Sequence, residues 1–428
     1  MERPRSRSWP NSVPLKLLLA VMLVGSFNIG ETLAQSSQSG AELRFLVTNA
    51  DNQRDAAVAV KSNNAFALDL YRQLSQQEGN VCVSPYSLSL ALSMTYAGAR
   101  NETAAEMAKV LKFELDPARL HPALSQVADN LQTSAGSQLA VANRLWIQKG
   151  LDLETEFTQI LAQQYRSPLA EVNFAVKPEQ TRQAINQWVA QQTNEQVKDL
   201  LPPGAVAAMT KLVLTNAIYF EGQWHYPFDE NQTLEAPFYL DPNTKVSVPV
   251  QLMRGAFPAA YAKLPELKLV ELPYKGETLS MVAIMPVGET ELATLEAQLT
   301  PTVLDEWFAA MKPAPTNVAV QLPRFKLSST FDLQSTLAQM GMTLPFNEAK
   351  ADFSGIRPQK PLFISQVIQQ AAVEVNEAGT EAAAATAVSM GRGGMSGFFR
   401  ADRPFLFFIR DRRSGTILFM GRVTNPLD

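Results

Sequence analysis

From Asn64 to Gln77 apolar residues recur every three or four positions, the period of an amphipathic helix. Ser84-Pro85 then supplies a capping hydroxyl and a first-turn proline, and Pro85 to Ala97 is apolar enough to predict a buried helix. Further helical patterns cover Thr103 to Leu111, Pro122 to Leu131, Glu154 to Tyr165 and Pro178 to Thr193. Strand-like runs dominate from Leu212 onward, interrupted by helical stretches near Pro301 to Met311 and Thr330 to Met340. Helices first and strands later indicate a mixed α+β domain.

One segment departs from this order. A strand-like run from Leu362 to Val375 leads into Asn376-Glu377-Ala378-Gly379-Thr380-Glu381-Ala382-Ala383-Ala384-Ala385-Thr386-Ala387-Val388, and then into the glycine-rich Ser389 to Gly397. Alanine favours helix, but a chain that must slide between two strands cannot carry bulky groups through the gap. Strand side chains alternate faces. Thr380, Ala382, Ala384, Thr386, Val388 and Met390 would share a small or apolar face, with Glu381 on the other. Such a segment suits a change of structural state.

The stretch Val373 to Thr386 resembles the hinge of inhibitory serpins, and three further motifs agree with it in order. Asn80 to Leu88, with Ala91 to Met94, is similar to that family's buried central helix; Leu212 to Trp224, with Pro227-Phe228, to its central strand and following turn. Asp402 to Ile409 and Leu418 to Pro426 resemble its closing strands. The length might suggest two domains, but the resemblance implies one serpin domain from residue 55 to 428, with helices packed around a large mixed sheet and an exposed reactive loop at about 377–397.

What the resemblance implies is suicide inhibition. A serine protease, or a cysteine protease, attacks the loop, forms its acyl-enzyme and is trapped as the freed segment inserts into the sheet. Gly379 and Thr380 match the hinge proper, followed by Glu381 and Ala382, Ala383, Ala384 and Ala385, and Glu377 matches the acid at the loop base. Ser84, Ser87 and Asn216 match a polar cluster beneath the sheet opening, and Trp224 an aromatic plug at its top. Gln369 stands where the family usually has histidine, which puts histidine-driven opening in doubt, and Ala378 replaces a common second acid. Counts forward from Gly379 and backward from Pro404 both reach Gly393-Gly394, whereas Arg392 would suit a trypsin-like protease; Arg392-Gly393 and Gly393-Gly394 weigh equally as the reactive bond. Met395-Ser396, suited to elastase-like or chymotrypsin-like enzymes, ranks behind. The rival expectation is a non-inhibitory serpin acting in binding, storage or folding assistance, but no proline interrupts Glu377 to Gly397.

Composition narrows the rest. Arg3, Arg5, Arg7 and Lys16 precede a short apolar core from Leu17 to Val24, and Thr32-Leu33-Ala34 offers a cleavage site. Residues 1–34 thus predict a secretory signal peptide rather than a membrane span, followed by a disordered tail over 35–54 and secretion to the exterior or a periplasm. The net charge of −4 gives no footprint for nucleic acid. Cys82 is alone, so no intramolecular disulfide forms, and its apolar neighbours predict a buried, inert thiol. His121 and His225, the two histidines, are expected as surface or packing residues, which leaves little for a catalytic triad or a metal site, so neither enzyme activity nor a cofactor is expected. The helix over Leu120 to Thr133 offers no basic stripe, so no heparin effect is expected. Asn101-Glu102-Thr103 and Asn231-Gln232-Thr233 permit glycosylation in a eukaryotic secretory route, and a monomer is expected.

Overall fold

The computed structural model describes residues 29–132, 137–241, 244–314, 316–359, 361–380 and 395–428. The chain divides into two compact units, Met1–Ala50 and Asp51–Asp428. Helix α1 spans Ile29–Leu74. The tail expected to be disordered over 35–54 is helical in this structure, in a stretch that no proline interrupts.

Three sheets build the second unit. The central one runs in the order Phe325–Asp332 (β12), Gln366–Val375 (β13), Leu212–Gln223 (β4), Ser137–Gln148 (β2) and Ala170–Val172 (β3), with Gly379–Thr380 (β14) paired on β4. A second sheet orders Val81–Val83 (β1), Ile417–Val423 (β17), Phe405–Asp411 (β16), Leu279–Pro286 (β9), Leu267–Pro273 (β8), Ala260–Lys263 (β7) and Lys312–Pro313 (β10). The third orders Gly397–Arg400 (β15), Val318–Pro323 (β11), Val246–Phe257 (β6) and Leu234–Asp241 (β5).

The remaining helices are Pro85–Tyr96 (α2), Asn101–Leu111 (α3), Pro117–Gln132 (α4), Thr155–Gln164 (α5), Pro178–Gln192 (α6), Leu292–Gln298 (α7), Pro301–Ala310 (α8) and Gln334–Gln339 (α9). As its sequence predicts, α2 starts at a Ser84 cap, whose Oγ accepts from the Ser87 amide at 3.2 Å, and it is buried almost throughout. It packs against β2 and β4 on one side and β17 on the other.

Several boundaries differ from the sequence reading. Strands β1, β2 and β3 precede Leu212, where helices were expected; β1 and β3 are three residues each, and β2 is broken by Asn143 and Arg144 and reads poorly as a strand. Helix α4 begins at Pro117 rather than Pro122, since Asp116 Oδ1 accepts from the Arg119 amide at 3.2 Å and starts the helix a turn earlier. Thr330 to Asp332 close β12, leaving only Gln334–Gln339 helical. Cys82 is fully buried, as expected, and burial pushes its thiol far up.

His121 packs inside α4 with its Nδ1 at 2.5 Å from the Tyr165 hydroxyl, and burial pulls its pKa down to about 4. The unfolded chain, with histidine near its ordinary 6.5, takes up this proton first, so stability falls as pH drops from 6.5 towards 4. The urea midpoint is expected to fall between pH 7 and 4.5, and His121→Gln to remove a part of that loss on the order of 2 kcal/mol; equal acid sensitivity in both proteins would exclude His121 as a source.

Candidate functional site

The central sheet is seamed down its middle by a parallel pair. β13 and β4 run side by side from Gln366 against Val213 to Val373 against Phe220, while β4 and β2 pair antiparallel along nearly their whole length. Parallel ladders are the slightly weaker kind. Above Val373 and Phe220 the two strands part, and β4 there takes Gly379 opposite Gln223 and Thr380 opposite Gly222, in antiparallel register.

A polar cluster lies under this seam, fully buried at four of its five members. Ser84 Oγ donates to the Leu418 carbonyl at 2.6 Å, and Asn216 Nδ2 to Ser87 Oγ at 2.7 Å and to Asn143 Oδ1. Ser87 Oγ donates to Asn143 Oδ1 at 3.1 Å, and Asn143 Nδ2 returns to the Ser87 carbonyl at 3.0 Å. Gln369, on β13, donates to the Ser84 carbonyl at 2.9 Å and to Asn216 Oδ1, and its Oε1 accepts from the Ser84 amide at 3.2 Å. The glutamine amide thus bonds across the seam to α2 and β4 using both donor and acceptor. A buried side chain left without these partners would cost about 1–3 kcal/mol.

At the top of the seam the chain after β13 is held by backbone and side chain alike. Trp224 donates from Nε1 to the Asn376 carbonyl and from its amide to the Ala378 carbonyl, both at 2.9 Å. Its ring stacks on Tyr274 at 4.6 Å, and the fully buried Tyr274 hydroxyl lies 3.0 Å from Thr380 Oγ1. Gly379 has φ +151°, and a Cβ there would come within 2.0 Å of the Gly222 carbonyl oxygen, so glycine is required for this approach. The Glu377 carboxylate, with its side chain 3% exposed, accepts from Arg324 Nε at 2.7 Å on both oxygens and from Thr233 Oγ1. Burial pushes the Glu377 pKa up, and the bonds from Arg324 and Thr233 outweigh it, leaving the carboxyl below its ordinary 4.5.

Downstream, Met395 is exposed, and Ser396 is tied in place. Its amide donates to the Asn317 carbonyl at 3.0 Å, and its hydroxyl accepts from the Thr316 amide at 3.0 Å before β15 joins β11. The structure therefore brings together Ser84, Ser87, Asn216 and Gln369 in one place and Trp224, Glu377, Gly379 and Thr380 in another. Glu381, Ala382, Ala383, Ala384, Ala385, Arg392, Gly393 and Gly394 lie outside the described residues.

The family assignment rests on most of the chain. A profile of the family described as serpin (serine protease inhibitor) matches residues 61–426. The chain belongs to the serpin family. It is 41% identical over 380 residues to the leukocyte elastase inhibitor of Bos taurus, covering 85% of this chain and 98% of that one. It is 36% identical to an uncharacterized serpin-like protein of Methanosarcina mazei, covering 96% and 97%. Among solved structures, uncleaved ovalbumin is similar with a TM-score of 0.79 and 31% identity over 85% of this chain and 99% of that one.

Four residues that hold this serpin's site were not singled out from sequence: Asn143, Arg324, Tyr274 and Thr233. Asn143 offered a signal, being a polar residue on the strand face that carries Leu139, Val141 and Leu145. Arg324 stands alone between the strands β11 and β12, whereas nothing local marks Thr233 or Tyr274.

Two outcomes follow. None of the five cluster side chains titrates near neutrality, so Gln369→His should introduce a dependence of heat stability on pH between 5 and 7 larger than that of the parent; identical profiles would refute a role for position 369 in clamping the seam. Arg324→Ala should destabilise the fold by about 1–3 kcal/mol at pH 7, read as a urea midpoint. Because the Glu377 pKa is depressed, that contribution is full above 4.5 and disappears as pH falls through the lower folded value, so the two midpoints should converge in acid.

Proposed function

We propose that this serpin is a secreted suicide inhibitor of serine endopeptidases, with reach to cysteine endopeptidases, that acts without enzymatic turnover. Residues 1–34 act as the signal peptide and residues 55–428 as the inhibitory domain. The observation that carries the reading is the seating of Gly379 and Thr380 on β4 at the point where β13 leaves it.

If the inserted loop continued that antiparallel register down β4, Ala382 would stand opposite Phe220, Ala384 opposite Ile218, Thr386 opposite Asn216, Val388 opposite Leu214 and Met390 opposite Leu212. The small, apolar loop face would then meet the core-facing side of β4, and Thr386 would reach the polar cluster. Insertion breaks the parallel seam and replaces it with ladders on both sides of the new strand. The net gain is on the order of ten hydrogen bonds at about 0.5–1.5 kcal/mol each, and strand insertion by serpins is a known instance of this physics. The uncut protein is then metastable, held by a barrier. Gly379 and Thr380 act as the hinge with Glu381 to Ala385, Glu377 anchors its base, Trp224 plugs the top, and the cluster of Ser84, Ser87, Asn216 and Gln369 latches the seam.

The reactive bond is Arg392-Gly393 or Gly393-Gly394. Met395-Ser396 ranks behind, because Ser396 is bonded to Thr316 and Asn317 and presents a less free segment to an active site. Trypsin-like and elastase- or subtilisin-like enzymes are the targets this loop suits, in line with a relative named for elastase inhibition. In α4 the one lysine or arginine is Arg119, paired with Asp55 at 2.5 Å, which favours action without heparin.

The mature protein is to be incubated with trypsin, elastase, subtilisin and a papain-like protease and run on denaturing gels. A covalent complex is expected, with release of a peptide that begins at Gly393 or Gly394, and Thr380→Arg should convert the inhibitor into a plain substrate. Cleavage without complex and without a large rise in thermal stability of the cut chain would instead favour a non-inhibitory serpin.

A further inference from the structure

Beside β2 the protein holds a cavity of about 560 Å³, a volume within the range of small-molecule sites. Leu90 and Met94 of α2 form one wall and Leu139 and Val141 of β2 the other, and Leu279 and Leu418 close its depth. Ser137 and Arg144 both line it. Seven residues apart on one strand, they mark a long dimension of about 23 Å at 3.3 Å per residue.

Arg144 is the unusual member. Its guanidinium lies 5.1 Å from the Trp146 ring and 5.0 Å from the Trp188 ring, and its Nε reaches the Pro168 carbonyl at 3.4 Å. Three arginines whose side chains are less than a fifth exposed are each paired with a carboxylate: Arg182 with Glu179, Arg410 with Glu271 and Arg422 with Glu296. Among the described residues Arg144 forms no such pair, and burial pulls its pKa down, so a partly desolvated cation stands without a counter-charge. The cavity's other cation, Arg166, is already bonded at 2.7 Å to Asp129, the one carboxylate among the lining residues. The Ser137 hydroxyl, at the far end, is buried without a hydrogen-bond partner.

We propose that this cavity binds an amphipathic organic acid, with its carboxylate on Arg144 and its extended apolar body between β2 and α2. A planar guanidinium fork held by two aromatic faces suits a carboxylate in bidentate geometry. The apolar walls would gain about 25 cal/mol for each Å² of ligand surface removed from water, which an inorganic anion cannot provide. β2 also carries Asn143 in the cluster under the seam. An occupant wedged between β2 and α2 therefore loads the strand pair that moves when the seam opens, a consequence that rests on the insertion mechanism proposed above.

Binding itself is testable without any protease. The full mature chain is titrated with decanoate and with decyltrimethylammonium, which share a tail and differ in head charge, and the fluorescence of Trp146 and Trp188 is followed. Decanoate should give a saturable change and the ammonium compound none, and Arg144→Gln should weaken decanoate binding at least tenfold. Equal binding of the two amphiphiles, unchanged affinity in Arg144→Gln, or no saturable change at millimolar decanoate would overturn the proposal. The comparison of head groups uses the unaltered protein, so it decides the matter even if Arg144→Gln folds poorly.

Discussion

The parallel pairing of β4 with β13 is the constraint on which this serpin's architecture turns. Every other long neighbour of these two strands is antiparallel: β2 along β4, and β12 along β13 from Phe325 against Val375 to Asp332 against Ile368. The sheet is therefore two firmly laddered halves joined by one weaker seam. Side chains reinforce that seam from below. Gln369 from one half bonds to Asn216 from the other and to Ser84 at the start of α2, so parting the strands would expose several buried polar groups at once. A network of this kind holds well while every member is satisfied, and it fails as a unit.

The top of the seam uses a different set of forces. There the backbone carbonyls of Asn376, Glu377 and Ala378 all accept bonds from the turn that follows β4, through Trp224 and Phe228. The Glu377 carboxylate adds a charge-assisted pair with Arg324, itself 44% exposed, so the desolvation cost of this pair is smaller than for one sealed inside. The stacked Trp224 and Tyr274 rings lie beneath this segment, and the Tyr274 hydroxyl reaches the Thr380 side chain. Anchoring thus extends from Asn376 to Thr380, which is itself fully buried and paired with Gly222 of β4.

β2 connects these features to the cavity beside it, which Asn143 itself helps to line. One of its faces offers Asn143 to the clamp, and the neighbouring residue, Arg144, turns to the opposite face and stacks between Trp146 and Trp188. Strand alternation alone accounts for this double role. A side chain that reaches the seam and one that stacks on two tryptophans stand a single residue apart, and both line the cavity.

Much of this protein was legible in its sequence because the relevant signals are local. The Ser84-Pro85 helix start, the apolar runs of β4 and β16, the burial of Cys82 and the small-residue segment after Glu377 each follow from side-chain size, capping or period within a few residues. The reason position 379 must be glycine, the Gly222 carbonyl at its α-carbon, appears only in three dimensions. What tertiary structure alone decided is partnership. Asn143 meets Ser87 across 56 residues, Arg324 meets Glu377 across 53 and Tyr274 meets Thr380 across 106. Local period reports which face a residue occupies, but a hydrogen bond or an ion pair is settled by where distant strands come to lie, and no local pattern carries that distance.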